Sequence, residues 1–403
     1  MFWHIYNILA PVVILAQLLF LAMMFSNYRY VLKKAPRERT SYTPAALLTV
    51  PCKGIDNAFD RNVASFYALD YPAYVLHFVV ESEDDPAFEH LNALRKKHLA
   101  GSDVKYVRIL VAGRAQSCSQ KIHNLLYSCE NAPDDVEVFA FADSDACLSS
   151  DWLRQIVYPL RKDKNGASTG YRWFVPQKNN LATLALSAIN AKVAQMLGNS
   201  HFNQAWGGSM AIKRDTFYDM KLDEIWSNAL SDDLCLSWAV KQAKKKVVFV
   251  PACLVASYEQ MDWLQLFEFA RRQFMITRVI MPKTWLFGLA SSLFATLGVW
   301  AGLAISIAAS IAGKGHLWLY WTVPLVFVAC QMIRAITRQN MIKRLLPEDA
   351  HTLKAARFAD ILGTPIWSVL TLITILSSAA GRTITWRDTR YKMISPTRTH
   401  ISR

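Results

Sequence analysis

This chain lacks the short motifs that mark several common enzyme classes. No G-x-G-x-x-G follows its first strand-like run, and no G-x-x-x-x-G-K-S/T occurs anywhere. A dinucleotide oxidoreductase and a P-loop ATPase therefore both lack their main signal. The seven cysteines (Cys52, Cys118, Cys129, Cys147, Cys235, Cys253 and Cys330) include no C-x-x-C pair and are odd in number. That argues against a disulfide framework and a cysteine zinc site. The nine histidines are isolated, which argues against a histidine metal cluster. No N-x-S/T acceptor lies in the central region, and with the cysteine pattern this fits a reducing, cytoplasmic side. Charge is also sparse, at 19% of residues, and acid is the scarcer sign, with 31 Asp and Glu against 45 Lys and Arg.

What the chain has in excess is apolar surface: 53% of its 403 residues are hydrophobic. They concentrate in the first 25 residues and in the last third. The distribution excludes a small secreted scaffold, a disordered chain and a pure channel, and points to a catalytic domain tethered to a membrane. Ile5 to Phe25 is long enough to cross about 30 Å of hydrocarbon. It has no basic region before it and charge after it, so it reads as an anchor rather than a cleaved signal. Further apolar runs cover Trp285 to Ile311, Leu317 to Ile333 and Ile361 to Ala380.

The net charge of +14 follows these runs. Arg29, Lys33, Lys34, Arg37 and Arg39 follow the first, and Arg334, Arg338, Lys343 and Arg344 follow the third. Such clusters suit anionic lipid, place the central domain in the cytoplasm and argue against a nucleic-acid partner. The tail from Gly381 carries six Lys or Arg against one Asp. A fourth full span would put that tail outside, against the charge rule; a re-entrant or interfacial run would not. Met341 to Ala359 mixes charged and apolar residues in a way expected of a surface-lying segment. The expected organisation is an anchor over 1–27, a catalytic domain over 40–260, an amphipathic segment over 261–284, a membrane region of two or three spans over 285–380 and a basic tail over 381–403.

The central region alternates strand and helix. Strands are expected at Ala45–Val50, Val75–Val80, Val104–Leu110 and Val136–Ala142, with helices at Asn57–Leu69, Pro86–Leu99, Gln120–Ser128 and from Ser231 to about Gln242. This is the pattern of an α/β domain with a mostly parallel sheet covered on both faces, whose ligands bind beyond the carboxyl ends of the strands. Acid collects at those ends. Asp143-Ser144-Asp145 follows an apolar strand, and its spacing sends both carboxylates to one side, where a divalent cation would relieve their repulsion and neutralise a diphosphate. Glu81, Glu83, Asp84 and Asp85 follow the second strand, either to contact a nucleoside or simply to cap the helix at Pro86. Asp232 and Asp233 open a later helix, one as a cap and the other placed as a general base. Trp206-Gly207-Gly208 offers close backbone approach beside an aromatic wall, or a plain turn. Arg271 and Arg278 share a helix face with Arg272 nearby, a surface for phosphates or lipid head groups.

These residues resemble the ceramide glucosyltransferase-like family of membrane-bound inverting glycosyltransferases. The matching segments are Pro51-Cys52-Lys53-Gly54-Ile55-Asp56, Leu69-Asp70-Tyr71-Pro72, Glu83-Asp84-Asp85-Pro86, Lys121-Ile122-His123-Asn124-Leu125, Asp143-Ser144-Asp145 and Asp232-Asp233. The resemblance implies a GT-A fold flanked by transmembrane helices. It implies that Lys53, Glu83, Asp84, Asp85, Lys121 and Asp143 bind a UDP-sugar, that Asp143 and Asp145 hold Mg²⁺ or Mn²⁺, and that Asp233 deprotonates the hydroxyl of a membrane lipid. Trp206, Gly207, Gly208, Asp232, Arg271 and Arg272 would serve acceptor or phosphate. The family's Arg-Trp motif before the second membrane run is replaced here by Phe274-Met275, which puts ceramide itself in doubt as acceptor. Ile384-Thr385-Trp386-Arg387 resembles the tail of some members. Two other readings share these residues: a processive polysaccharide synthase and a non-catalytic membrane scaffold.

Overall fold

The computed structural model describes residues 2–34, 41–56, 58–72, 74–386 and 389–402. Arg37, Arg39, Asn57 and Arg387 of the expectations above lie outside them. Helix α1 (Phe2–Lys34) comes first. The catalytic region then alternates β1 (Ala46–Pro51), α2 (Phe59–Tyr67), β2 (Tyr74–Val80), α3 (Pro86–His98), β3 (Val104–Val111), α4 (Gln120–Glu130) and β4 (Val138–Ala142). Each strand is an apolar run buried along nearly its whole length, except β3 at the sheet edge. Successive side chains of β4 go to opposite faces: Ala140 and Ala142 pack with Phe59, Phe66 and Trp152, while Phe139 and Phe141 pack with Ile122, Phe217 and Trp226. This period of two is what buries the sheet between two helical layers.

The second half of the region adds α5 (Trp152–Val157), β5 (Asn165–Pro176), α6 (Leu181–Ala194), β6 (Ser209–Lys213), α7 (Arg214–Asp219), α8 (Leu222–Trp226), α9 (Asp232–Gln242) and β7 (Lys246–Glu259). The seven strands form one sheet in the order β3-β2-β1-β4-β6-β5-β7. All its pairings are parallel except those of β6, which runs antiparallel to both β4 and β5. That insertion brings the start of β6, with Trp206-Gly207-Gly208 just before it, alongside the carboxyl end of β4, where Ala142 pairs with Ser209.

Helix α10 (Trp263–Ile280) opens with a capping box between Asp262 and Gln265. Then come α11 (Pro282–Ile311), α12 (Leu317–Leu345), α13 (Lys354–Leu362) and α14 (Thr364–Ser377). Among the described residues, α1, α11 and α12 are long and apolar enough to cross a membrane. Helices α13 and α14 qualify only as a pair, and they are bent by 82°, as in a broken span or a re-entrant loop.

One sequence expectation changes here, and two segments gain detail. In the segment Met341 to Ala359 the apolar residues Met341, Ile342, Leu353 and Ala356 are buried with Val31, Trp173 and Leu184 against the catalytic region, while Lys343, Arg344, Lys354 and Arg357 are exposed. Arg338 does not face lipid head groups. It is buried, and its Nε donates to Asp360 Oδ2 at 2.7 Å, an acceptor shared with Gln339. A buried guanidinium needs such a partner. The basic tail is an ordered unit. It folds as an antiparallel sheet of β8 (Thr383–Trp386), β9 (Thr389–Ser395) and β10 (Arg398–Ser402), docked on the catalytic region through Leu230, Met275, Ile384, Tyr391 and Met393.

Candidate active site

A cleft of about 930 Å³ opens at the carboxyl ends of β1, β2 and β4. Its floor is a charge cluster built from three separate elements. Lys121, on the first turn of α4, reaches Asp143 Oδ1 at 2.6 Å and Asp232 Oδ2 at 3.0 Å. Burial alone lowers the lysine pKa, but the charges of Asp143, Asp232 and Asp233 more than offset it and hold the ammonium protonated. Burial raises Asp232 to about 6, with Lys121 opposing and Asp233 and Asp143 adding to the rise. Burial and then the neighbouring Asp143 raise Asp145 to about 6, against the pull of Arg172 and Lys121. Asp145 Oδ1 is buried and has no hydrogen-bond partner. An orphaned buried carboxylate oxygen is costly unless a donor or cation meets it.

Asp233 stands beside this cluster. Its Oδ2 accepts the Gly207 N–H at 3.2 Å, and its Oδ1 accepts the Leu234 N–H at 2.7 Å and the Ser231 hydroxyl at 2.5 Å. Ser231, not either aspartate, is the N-cap of α9. Asp232 thus turns to Lys121, and Asp233 stands at the cleft held by the Gly207 and Leu234 N–H groups and the Ser231 hydroxyl. The glycines are required by proximity. A Cβ on Gly207 would lie 2.2 Å from Asp232 Oδ2 and 2.6 Å from Lys121 Nζ, and one on Gly208 would lie 2.3 Å from the Trp206 ring.

Several expected residues have other duties. Lys53 borders the cleft and pairs with Glu81 at 3.3 Å. Asp85 does not line the cleft: its Oδ1 caps α3 through Ala87 N at 2.9 Å and holds Gly54 N at 2.8 Å. Asp84 is exposed and takes the Ser82 hydroxyl at 3.1 Å, and Glu83 is exposed beside it. Neither is among the residues lining the cleft. Arg271 and Arg278 share a face as expected, but that face grips the chain itself. Arg271 Nε donates to Ser377 O at 3.0 Å, and Arg278 donates to Gly381 O. Arg272 does reach the cleft.

Arg172, in the middle of β5, is a cleft residue with no motif around it. Its guanidinium sits 4.6 Å from the Phe174 ring centre, 5.2 Å from that of Phe269 and 5.6 Å from that of Trp206. Arg272 also stacks on Phe269, at 5.6 Å. Burial and the Arg172 charge lower its pKa. Two guanidiniums facing one ring at the edge of a cleft repel each other, and an anion between them would remove the strain. Trp386, Thr389, Tyr391 and Ile401 of the tail sheet complete the lining. Their pattern of short strands alternating in polarity gave no signal strong enough to place them there.

A sheet of this order, with carboxylates at its strand ends and a return strand beside them, is the GT-A fold, and the protein is a glycosyltransferase. The model of glycosyl transferase family 21 matches residues 11–399, and the chain belongs to that family. Among solved structures, the mannosyltransferase PcManGT from Pyrobaculum calidifontis, solved with GDP-Man and Mn²⁺, is similar over 92% of this chain and 97% of its own, at 12% identity and a TM-score of 0.45. GalNAc-T7, solved with UDP, GalNAc and Mn²⁺, is similar over 62% of this chain and 55% of its own, at 12% identity and a TM-score of 0.39.

Proposed function

We propose that this glycosyltransferase moves a hexose from a UDP-sugar to the hydroxyl of a membrane lipid with inversion, giving a β-glycoside. The observation that carries the reading is the position of Asp233. It is held by the Gly207 N–H at 3.2 Å, beside the Lys121–Asp143–Asp232 cluster and within the same cleft. An ionised carboxylate there accepts the proton of the lipid hydroxyl as that oxygen attacks the anomeric carbon. Lys121 pairs with Asp143 and Asp232 and holds them in place. Arg172 and Arg272 hold the diphosphate as the bond to the sugar breaks. Holding both reactants in line at the membrane surface supplies much of the rate.

Asp143 and Asp145 would hold Mg²⁺ or Mn²⁺. The unpartnered Asp145 Oδ1 fits that role. Among the described residues no third His, Cys, Asp or Glu joins them, so diphosphate and water would complete the coordination. The cation would supply charge neutralisation of the leaving diphosphate.

The catalytic region sits on the cytoplasmic side in this reading, with α1, α11 and α12 as spans. The tail sheet docks on the catalytic region, so α13 and α14 enter and leave on that same side, and the basic tail agrees with the charge rule. The test is product mass spectrometry after incubating the detergent-solubilised enzyme with UDP-glucose, UDP-galactose or UDP-N-acetylglucosamine, total membrane lipid and Mg²⁺ or Mn²⁺. A lipid heavier by one hexose or hexosamine is expected. No transfer from any donor would refute the reading, and a polymer would replace it with a processive one.

A further inference from the structure

Trp386, Thr389, Tyr391 and Ile401 come after the final apolar helix in the chain, yet they border the reaction cleft. In the tail sheet Trp386 pairs with Thr389, and Ile384 and Ile401 both pair with Tyr391. Alternation gives the sheet two faces. Ile384, Tyr391 and Met393 are buried on the inner face, while Arg390, Lys392 and Arg398 are exposed on the outer one. The inner face packs on Leu230, the residue just before Ser231-Asp232-Asp233, and on Met275 of α10. Thr399 N donates to Asn228 O at 2.7 Å, and Cys235 Sγ donates to Pro396 O at 3.3 Å. The sheet is thus fastened on both sides of the loop that carries Asp232 and Asp233. A meander this small needs its apolar face packed on something to be stable, so the docking is what keeps Trp386 and Tyr391 at the cleft.

We propose that the C-terminal sheet is a substrate wall, in which Trp386 and Tyr391 hold the transferred hexose beside Asp233 and keep water out. The proposal rests on the transferase reading above. Elsewhere in the cleft the rings of Trp206, Phe174 and Phe269 are taken up by the Arg172 and Arg272 guanidiniums, and the groups nearest the reaction centre, Asp143, Asp145 and Asp233, are charged. Those groups suit a diphosphate and a proton transfer, not the C–H face of a sugar ring. Indole and phenol rings offer an apolar body with a polar tip, which matches a pyranose with its C–H face and its hydroxyls. The wall also has a chemical task. Water competes with the lipid hydroxyl: its oxygen bonds to the anomeric carbon, the bond to the diphosphate oxygen breaks, Asp233 takes the proton, and free hexose and UDP leave. A closed wall on that side disfavours this reaction.

The test uses the full chain in lipid nanodiscs, with UDP and UDP-hexose titrated separately against wild type, Trp386→Ala and Trp386→Phe. Trp386→Ala is expected to weaken UDP-hexose binding about tenfold, as loss of one apolar contact does, and to leave UDP binding unchanged. It is also expected to raise the ratio of donor hydrolysis to lipid transfer, and Trp386→Phe is expected to restore most of both. Equal weakening of UDP and UDP-hexose, or an unchanged hydrolysis ratio, would overturn the proposal. Binding needs no lipid acceptor, so with a wrong acceptor class the comparison of UDP with UDP-hexose binding still decides the proposal. A wild-type chain that binds no UDP-sugar would overturn both readings.

Discussion

Glu81, Glu83, Asp84 and Asp85 follow β2, and Asp143 and Asp145 follow β4. Both groups end an apolar parallel strand, and the first is the richer in acid. Yet Asp85 is spent on the backbone N–H groups of Gly54 and Ala87, and Asp84 on Ser82. Asp143 instead meets Lys121 from another helix, and Asp145 keeps an oxygen that nothing satisfies. Acid at a strand end therefore says little by itself. Between these two strand ends, the difference is that Asp84 and Asp85 are held by donors of their own loop, whereas Asp143 meets a charge from another helix and Asp145 keeps an unmet oxygen in the cleft. In the first group Asp84 and Asp85 stabilise a loop while Glu81 borders the cleft with Lys53; the second group leaves electrostatic work for a ligand to complete.

The largest effect that separates the two groups should come from Asp233→Asn, which keeps the shape and removes the base. Transfer is expected to fall by about 10²–10⁴-fold while UDP binding persists; radiolabelled transfer beside calorimetry checks this. Lys121→Met comes next. It leaves the buried Asp232 without its cation and Asp143 without its partner, and breaking a buried pair costs about 3–5 kcal/mol. Thermal unfolding should report the loss, and divalent cation should recover part of it.

The metal should also be proton-linked. Asp145 is raised to about 6, above the ordinary carboxylate, and a cation binds only the ionised form. Mn²⁺ affinity should therefore fall as pH drops below that value and level off above it. Titrations at several pH values check the trend, and Asp145→Asn should flatten it along with weakening the metal. The smallest effect belongs to the first group. Asp85→Ala removes a helix cap worth about 1 kcal/mol, so it should lower the melting temperature modestly and leave the KM for donor nearly unchanged.

The same contrast explains how far the sequence could be read. From β1 to β4, apolar runs alternate with helices punctuated by Pro72, Pro86 and Ser119, and the expected elements fall within a residue or two of the observed ones. Strand β5 was missed because Gly166, Ser168, Thr169 and Gly170 interrupt its apolar pattern, and β7 because Pro251 sits inside it. Arg172 went with β5: an arginine within a strand carries no spacing signal. Lys121, Asp143 and the Asp232-Asp233 pair were legible as motifs. Their convergence on one ammonium depends on β6 running back beside β4, a topological fact that no local window contains. The docking of the tail on Leu230 is equally non-local, so the sequence marks the tail only as basic.

The account stands or falls on which acid group serves the nucleotide. Calorimetric titration of UDP with Mn²⁺ into Asp143→Asn and Asp84→Asn tests this directly. The expected result is that Asp143→Asn loses metal-dependent UDP binding and Asp84→Asn keeps it. Retained binding in the first variant with loss in the second would contradict the placement of the active site at Lys121, Asp143, Asp145 and Asp233.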